Sequence, residues 1–148
     1  MANLKELLGT DPKRAEVIND ACQVLDAEVA DKGGLSGIAI KGAYGVVKGV
    51  KPGFVREVVD NLLDDFLDAV DPIYQEAERD GISARHHLVA NSGRMAEGLL
   101  KVTDARAERA QRAVIKKAYL KLRPTAKKHV EAAAPRLGDM LERHAPGS

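Results

Sequence analysis

Ile18, Cys22, Leu25 and Val29 stand at i, i+4, i+7 and i+11, so they share one side of a helix. The same period, about 3.6 residues, returns in every long segment of the chain. A strand alternates with a period of two, and only residues 35–51 carry a trace of that pattern. This repetition constrains the chain more than any single motif in it. It predicts an all-α fold in which each helix buries an apolar stripe against its neighbours.

Punctuation then divides the chain. Asn3 to Gly9 reads as a short helix with a glycine stop. Asp11 is the expected N-cap of the next helix, Pro12 its first residue, and Gly33 with Gly34 its end. After a glycine-rich stretch, Val55, Val58, Val59, Leu62, Phe66, Ala69 and Ile73 form an apolar stripe. Glu57, Asp60, Asp64, Asp68 and Asp71 lie on the opposite arc. Pro72 kinks this helix or starts another, and Gly81 closes it. Ser83 caps a helix that continues to Val102 and turns Leu88, Ser92, Met95 and Leu99 to one face. Asp104 caps the next, which stops before Pro124 and turns Ala107, Ala110, Val114, Ala118 and Leu122 inward. The last helix runs from Thr125 to His144, with Pro135 on its outer side. The expectation is a single-domain bundle of five to six helices over residues 1–148. Residues 1–10 would hold the short N-terminal helix, and residues 145–148 a flexible tail.

The segment from Gly37 to Val55 holds five glycines among Ile and Val. A hairpin would use the alternation of Ile38, Ile40, Tyr44 and Val46, but a lone pair of strands is marginal and no further strands are visible. On a helical wheel the segment sorts instead. Lys41 and Lys48 share a polar stripe, and Gly42, Gly45 and Gly49 fall within roughly 60° of one another. Each helical glycine costs about 1 kcal/mol relative to alanine. Close approach of a neighbouring helix would offset that cost through dispersion contacts. The segment is therefore expected to be the central, glycine-striped helix of the bundle. Gly42, Gly45 and Gly49 with Lys41 and Lys48 become the candidate groove for a partner or ligand. Gly45, Gly49 and Gly53 also keep the small-xxx-small spacing of membrane helix pairs, but the nearby lysines and Pro52 argue against a span.

Composition enters at four points. Aromatic residues are 3% of the chain, so the core must be aliphatic and rich in alanine. One cysteine, Cys22, cannot close an intrachain disulfide and reads as a small core residue. No apolar run approaches the length of a spanning helix and the first residues do not read as a secretory signal, so a cytoplasmic location is the expectation. Charge is lopsided: residues 1–80 carry 9 Lys and Arg against 16 Asp and Glu, whereas residues 81–148 carry 14 against 6.

Few motifs carry chemistry. Asp64, Asp65 and Asp68 spell a D-D-x-x-D that resembles the Mg²⁺-binding motif of isoprenyl diphosphate synthases. The resemblance covers five residues and lacks a second aspartate-rich motif, so a solvated acidic face is the plainer reading. Gly37 and Gly42 are followed by Ala43 and Tyr44, not by the Lys and Ser/Thr of a phosphate loop. His86 and His87 point roughly 100° apart on a helix and do not chelate one ion. No catalytic residue, cofactor or metal site is assigned. Arg106, Arg109, Arg112, Lys116, Lys117 and Lys121 form the candidate polyanion contact, although stacking aromatics are scarce around them. The leading functional reading is a non-enzymatic helical interaction protein, with itself as partner in a homodimer. Two alternatives stand beside it: a nucleic-acid binder using helices 105–128, and a binder of an apolar or lipid-like ligand between helices.

Overall fold

The computed structural model describes residues 2–145. They form eight helices and, among the described residues, no strand. The helices are α1 (Leu4–Leu8), α2 (Lys13–Asp31), α3 (Gly34–Lys48), α4 (Phe54–Asp80), α5 (Ala84–Ala90), α6 (Ser92–Glu108), α7 (Ala113–Ala132) and α8 (Ala134–His144). The all-α class stands. The count exceeds the expected five to six because two predicted helices are each cut in two or re-joined at other points.

Local signals explain the ends that were foreseen. The Asn3 side chain accepts from the Glu6 N–H at 2.8 Å and opens α1, and Gly9 closes it. Ser83 accepts from the His86 N–H and caps α5. Gly81, in the left-handed region at φ 67°, ends α4. Helix α2 begins at Lys13 without a side-chain cap, so Asp11 does not serve as one.

The unforeseen breaks have two different causes, one local and one tertiary. Asn91 Nδ2 donates to the His87 carbonyl at 2.9 Å, competing with the helical ladder, and separates α5 from α6. Asp104 is no cap: it lies inside α6, and its carboxylate accepts from the Arg123 guanidinium at 2.8 Å and from the Tyr119 hydroxyl. These bonds, with Lys127 on Glu97 at 2.8 Å, fold α7 back against α6. The turn falls at residues 109–112, which hold neither glycine nor proline. Pro124 is accommodated inside α7, on its exposed side. Pro135 stands in the first turn of α8, where its missing N–H is least costly.

Helix α4 is the centre. It buries Leu63, Leu67, Val70, Ile73, Tyr74 and Ala77, and packs on α1, α2, α3, α5 and α6. Pro72 neither ends it nor starts another helix. The expected apolar stripe is rotated, because the acidic arc is not left to solvent. Arg14 donates to Asp64 at 2.7 Å, to Asp60 at 2.9 Å, and to the carbonyls of Gly9 and Asp60. Lys5 reaches Asp68 at 3.3 Å, and the Leu4 N–H donates to Asp71 at 2.8 Å. The acidic face is thus occupied by α1 and the start of α2, while Leu4 and Leu8 enter the core at 0% exposure.

The glycine helix forms as expected but is not central. A methyl group added at Gly42 or Gly45 would meet no atom within 4 Å outside its own helical turn, and at Gly49 only carbonyls of α3 itself. Both Gly42 and Gly45 are exposed, beside Ile38 at 70% and Leu35 at 88%. The predicted packing seam is therefore corrected to a bare outer surface. Close approach occurs elsewhere. A Cβ on Gly138 of α8 would stand 2.4 Å from the Arg85 Cα of α5, so only glycine admits that contact. Gly98 similarly lies against Ala69, where a Cβ would meet ordinary contact at 3.6 Å. Ala145, expected to begin a flexible tail, is buried; residues 146–148 lie outside the described residues.

Candidate functional site: an apolar cavity with one polar end

Between α2, α4, α7 and α8 the side chains fail to fill the interior. A cavity of about 360 Å³ remains. Val24 and Leu25 of α2, Leu63, Phe66 and Val70 of α4, and Leu122 and Val130 of α7 form much of its wall. Ile40 of α3, Leu99 of α6 and Leu137 and Met140 of α8 close the rest. The sequence explains the shortfall. Large aromatics are scarce, and Ala21, Ala126 and Ala133 stand where larger residues would reach inward.

The cavity is partly open to the surface, and its wall is almost wholly aliphatic. Water gains little there, because an ordered water needs about three polar partners. Natural ligand pockets span roughly 300–1,000 Å³ and are lined in the same way.

One end is polar. Glu28, only 9% exposed, Lys32 and His129 join the lining there. Lys32 Nζ donates to Glu28 Oε2 at 3.0 Å and to the His129 carbonyl at 3.4 Å. Arg136 donates to Glu28 Oε1 at 2.8 Å and to Asp31 at 2.5 Å. The two cations and two carboxylates satisfy one another. His129 Nε2 is different: it is shielded from solvent and has no hydrogen-bond partner among the described residues. Burial, then the charges of Lys32 and Lys128, push the imidazole below its ordinary pKa, so it is neutral near pH 7. A neutral imidazole nitrogen donates or accepts one hydrogen bond, according to tautomer.

The residues singled out from sequence lie elsewhere. Gly42, Gly45, Gly49, Lys41 and Lys48 are on the outer face of α3, with Lys48 5.3 Å above the Tyr44 ring. Burial and the bond to Asp26 raise the Tyr44 phenol well above its usual range. The six basic residues do not form one stripe. Arg106 is bonded to Asp65 at 3.1 Å and to the Asn61 carbonyl, and Arg109 to the Ala105 carbonyl. Arg112 stacks 5.6 Å over Phe54, and Lys116 donates to the Glu108 carbonyl. Lys117 and Lys121 are exposed on α7. Of the D-D-x-x-D aspartates, Asp64 holds Arg14, Asp65 holds Arg106 and Asp68 holds Lys5. No group of three or more metal-ligating side chains gathers among the described residues. His87 Nε2 sits 2.9 Å from Glu76, which also takes a two-pronged bond from Arg94. Those bonds hold the Glu76 carboxyl down at about 2. Cys22 is half-buried at the core edge, where burial raises its thiol pKa.

Sequence reasoning admitted a ligand between helices but named none of the lining. The available signal was the pairing of alanines at inward positions with a near absence of aromatics.

A family model described as "Family of unknown function (DUF6918)" matches residues 4–145, an extent that takes in all eight helices. No curated protein and no solved structure matches the chain.

Proposed function

We propose that this chain, which belongs to that family, is a binding protein for a small, mainly aliphatic molecule held between its helices. The observation that carries the reading is the 360 Å³ partly open cavity between the helices, with an aliphatic wall and one unspent polar nitrogen. The ligand that fits is a single chain with one uncharged polar group, because the charged side chains at the polar end are already paired. A hydroxyl or carbonyl there would give His129 Nε2 its partner. Among the described residues no helix is long and apolar enough to cross a membrane, and the proposed role needs none.

Dodecanol is a suitable probe. A ligand present at a hundredfold its Kd stabilises a native state by about 2.7 kcal/mol. For a domain of this size that raises Tm by roughly 5–10 °C. The expected result is such a rise in wild type and a clearly smaller one in Ala126→Leu, whose larger side chain narrows the cavity while the fold persists by circular dichroism. Native mass spectrometry of the purified protein should show a bound small molecule. An equal Tm shift in both proteins, or no binding to wild type, would sink the reading.

Homodimer formation through α3 and polyanion contact through α7 are separate readings of exposed residues. Light scattering and titration with duplex DNA distinguish them from ligand binding.

A further inference from the structure

Among the described residues six large aliphatic side chains are exposed, and five of them belong to two helices that pack on each other. Leu35, Ile38 and Val46 lie on α3, and Val114 and Leu120 on α7. Leu35, Ile38 and Leu120 are 88%, 70% and 65% exposed. Single exposed aliphatics are ordinary; a set confined to one helix pair is not.

Charge on the same pair is almost all of one sign. Helix α3 contains no acidic residue, and α7 contains only Glu131. Lys41, Lys48, Lys117, Lys121 and Lys128 are exposed and form no ion pair among the described residues. This contrasts with α4, whose acidic arc is met by Arg14, Lys5 and Arg106. The protein has matched its acidic helix internally and left these lysines unmatched, beside protruding aliphatic side chains.

We propose that the α3–α7 face docks on an anionic lipid surface. The chemistry fits in both parts. Leu35, Ile38 and Leu120 enter the boundary between headgroups and acyl chains, and the lysines remain at the phosphates. Each lysine close to an anionic surface strengthens attachment about fivefold. Glycines at 42, 45 and 49 keep α3 low, so that headgroups reach its backbone without side-chain obstruction. The evidence for this face is independent of the cavity. The two are nonetheless adjacent, since Ile40 of α3 and Leu122, Ala126 and Val130 of α7 form part of the cavity wall from the inner side.

Co-sedimentation with vesicles tests the inference. Wild-type protein is expected to pellet with phosphatidylglycerol–phosphatidylcholine vesicles and to remain in solution with phosphatidylcholine alone. Lys41→Glu with Lys117→Glu should lower the partition coefficient by at least tenfold, and added salt should do the same. Leu35→Ser with Ile38→Ser should abolish pelleting while circular dichroism and dodecanol binding remain as in wild type. Ala126→Leu, which narrows the cavity, should pellet normally, so failure of the cavity reading is told apart from failure of this one. Three results would overturn the proposal: no pelleting with anionic vesicles, equal pelleting with neutral ones, or a dimer by light scattering that Ile38→Glu dissociates. The last would assign the face to a second copy of the chain.

Discussion

Helices α5 and α8 approach so closely that Gly138 has no room for a methyl group, whereas α3 and α7 leave Gly42 and Gly45 facing open space. The contrast extends to whole helices. Helix α8 buries Ala134, Gly138, Met140 and Leu141 within 11 residues; α7 buries nothing within 20. Helix α3 buries only Gly37. One part of the bundle is therefore closely packed, and another is a wall with a partly open cavity behind it and exposed aliphatic side chains before it. The difference teaches that small residues have two opposite uses. On α8 a missing side chain lets backbones meet. On α3 and at Ala126 it leaves space unclaimed, which is of value only to something outside the chain.

The sharpest way to break the contrast is to add volume where none exists. Gly138→Val would force α5 and α8 apart and should cost about 3 kcal/mol or more in urea unfolding. Removing volume comes next. Met95→Ala, in the fully buried core, should cost about 3 kcal/mol, whereas Leu120→Ala on α7 should stay within about 0.5 kcal/mol. If Leu120→Ala destabilises as Met95→Ala does, α7 is better packed than its exposure states. Gly42→Ala and Gly45→Ala should each stabilise by about 0.8–1 kcal/mol, since a Cβ there gains helix propensity and meets nothing. Destabilisation by either would restore the packing seam that the sequence suggested.

The smallest effect concerns His129. Its folded-state pKa lies below the ordinary 6.5, so the unfolded chain takes up a proton first. Stability should therefore fall as pH drops through about 6.5 toward the folded-state value, and be fully present above it. Tm measured across that window should lose this slope in His129→Leu. Bound dodecanol should steepen the slope if its hydroxyl donates to the neutral Nε2, because protonation removes that acceptor.

Much of the fold was legible because it rests on local signals. Asn3, Gly9, Ser83 and Gly81 act through their own backbone neighbours, and so did the helical sorting of residues 38–48. The joint at residues 109–112 was not, because it depends on what α7 finds on α6; the joint at Asn91 rests on a side-chain bond to the His87 carbonyl that periodicity does not show. Asp104 looks like a cap in one dimension and is a receptor for Tyr119 and Arg123 in three. Burial and that contact push the Tyr119 phenol up to about 12. Periodicity says which residues share a face, not whether another helix covers it, so the glycine stripe was placed on the correct arc and the wrong side. The cavity was least legible of all. A void is a sum over residues from seven elements, and no single one of them is unusual.

Arg14, Lys5 and the Leu4 amide do for α4 what a dissolved salt would otherwise do. The opening segment is in effect a tethered counter-ion, plugged in by two leucines. Cleavage ahead of Lys13 would take Lys5 and the Leu4 amide away from Asp68 and Asp71, whereas Arg14, carried by α2, would stay on Asp60 and Asp64.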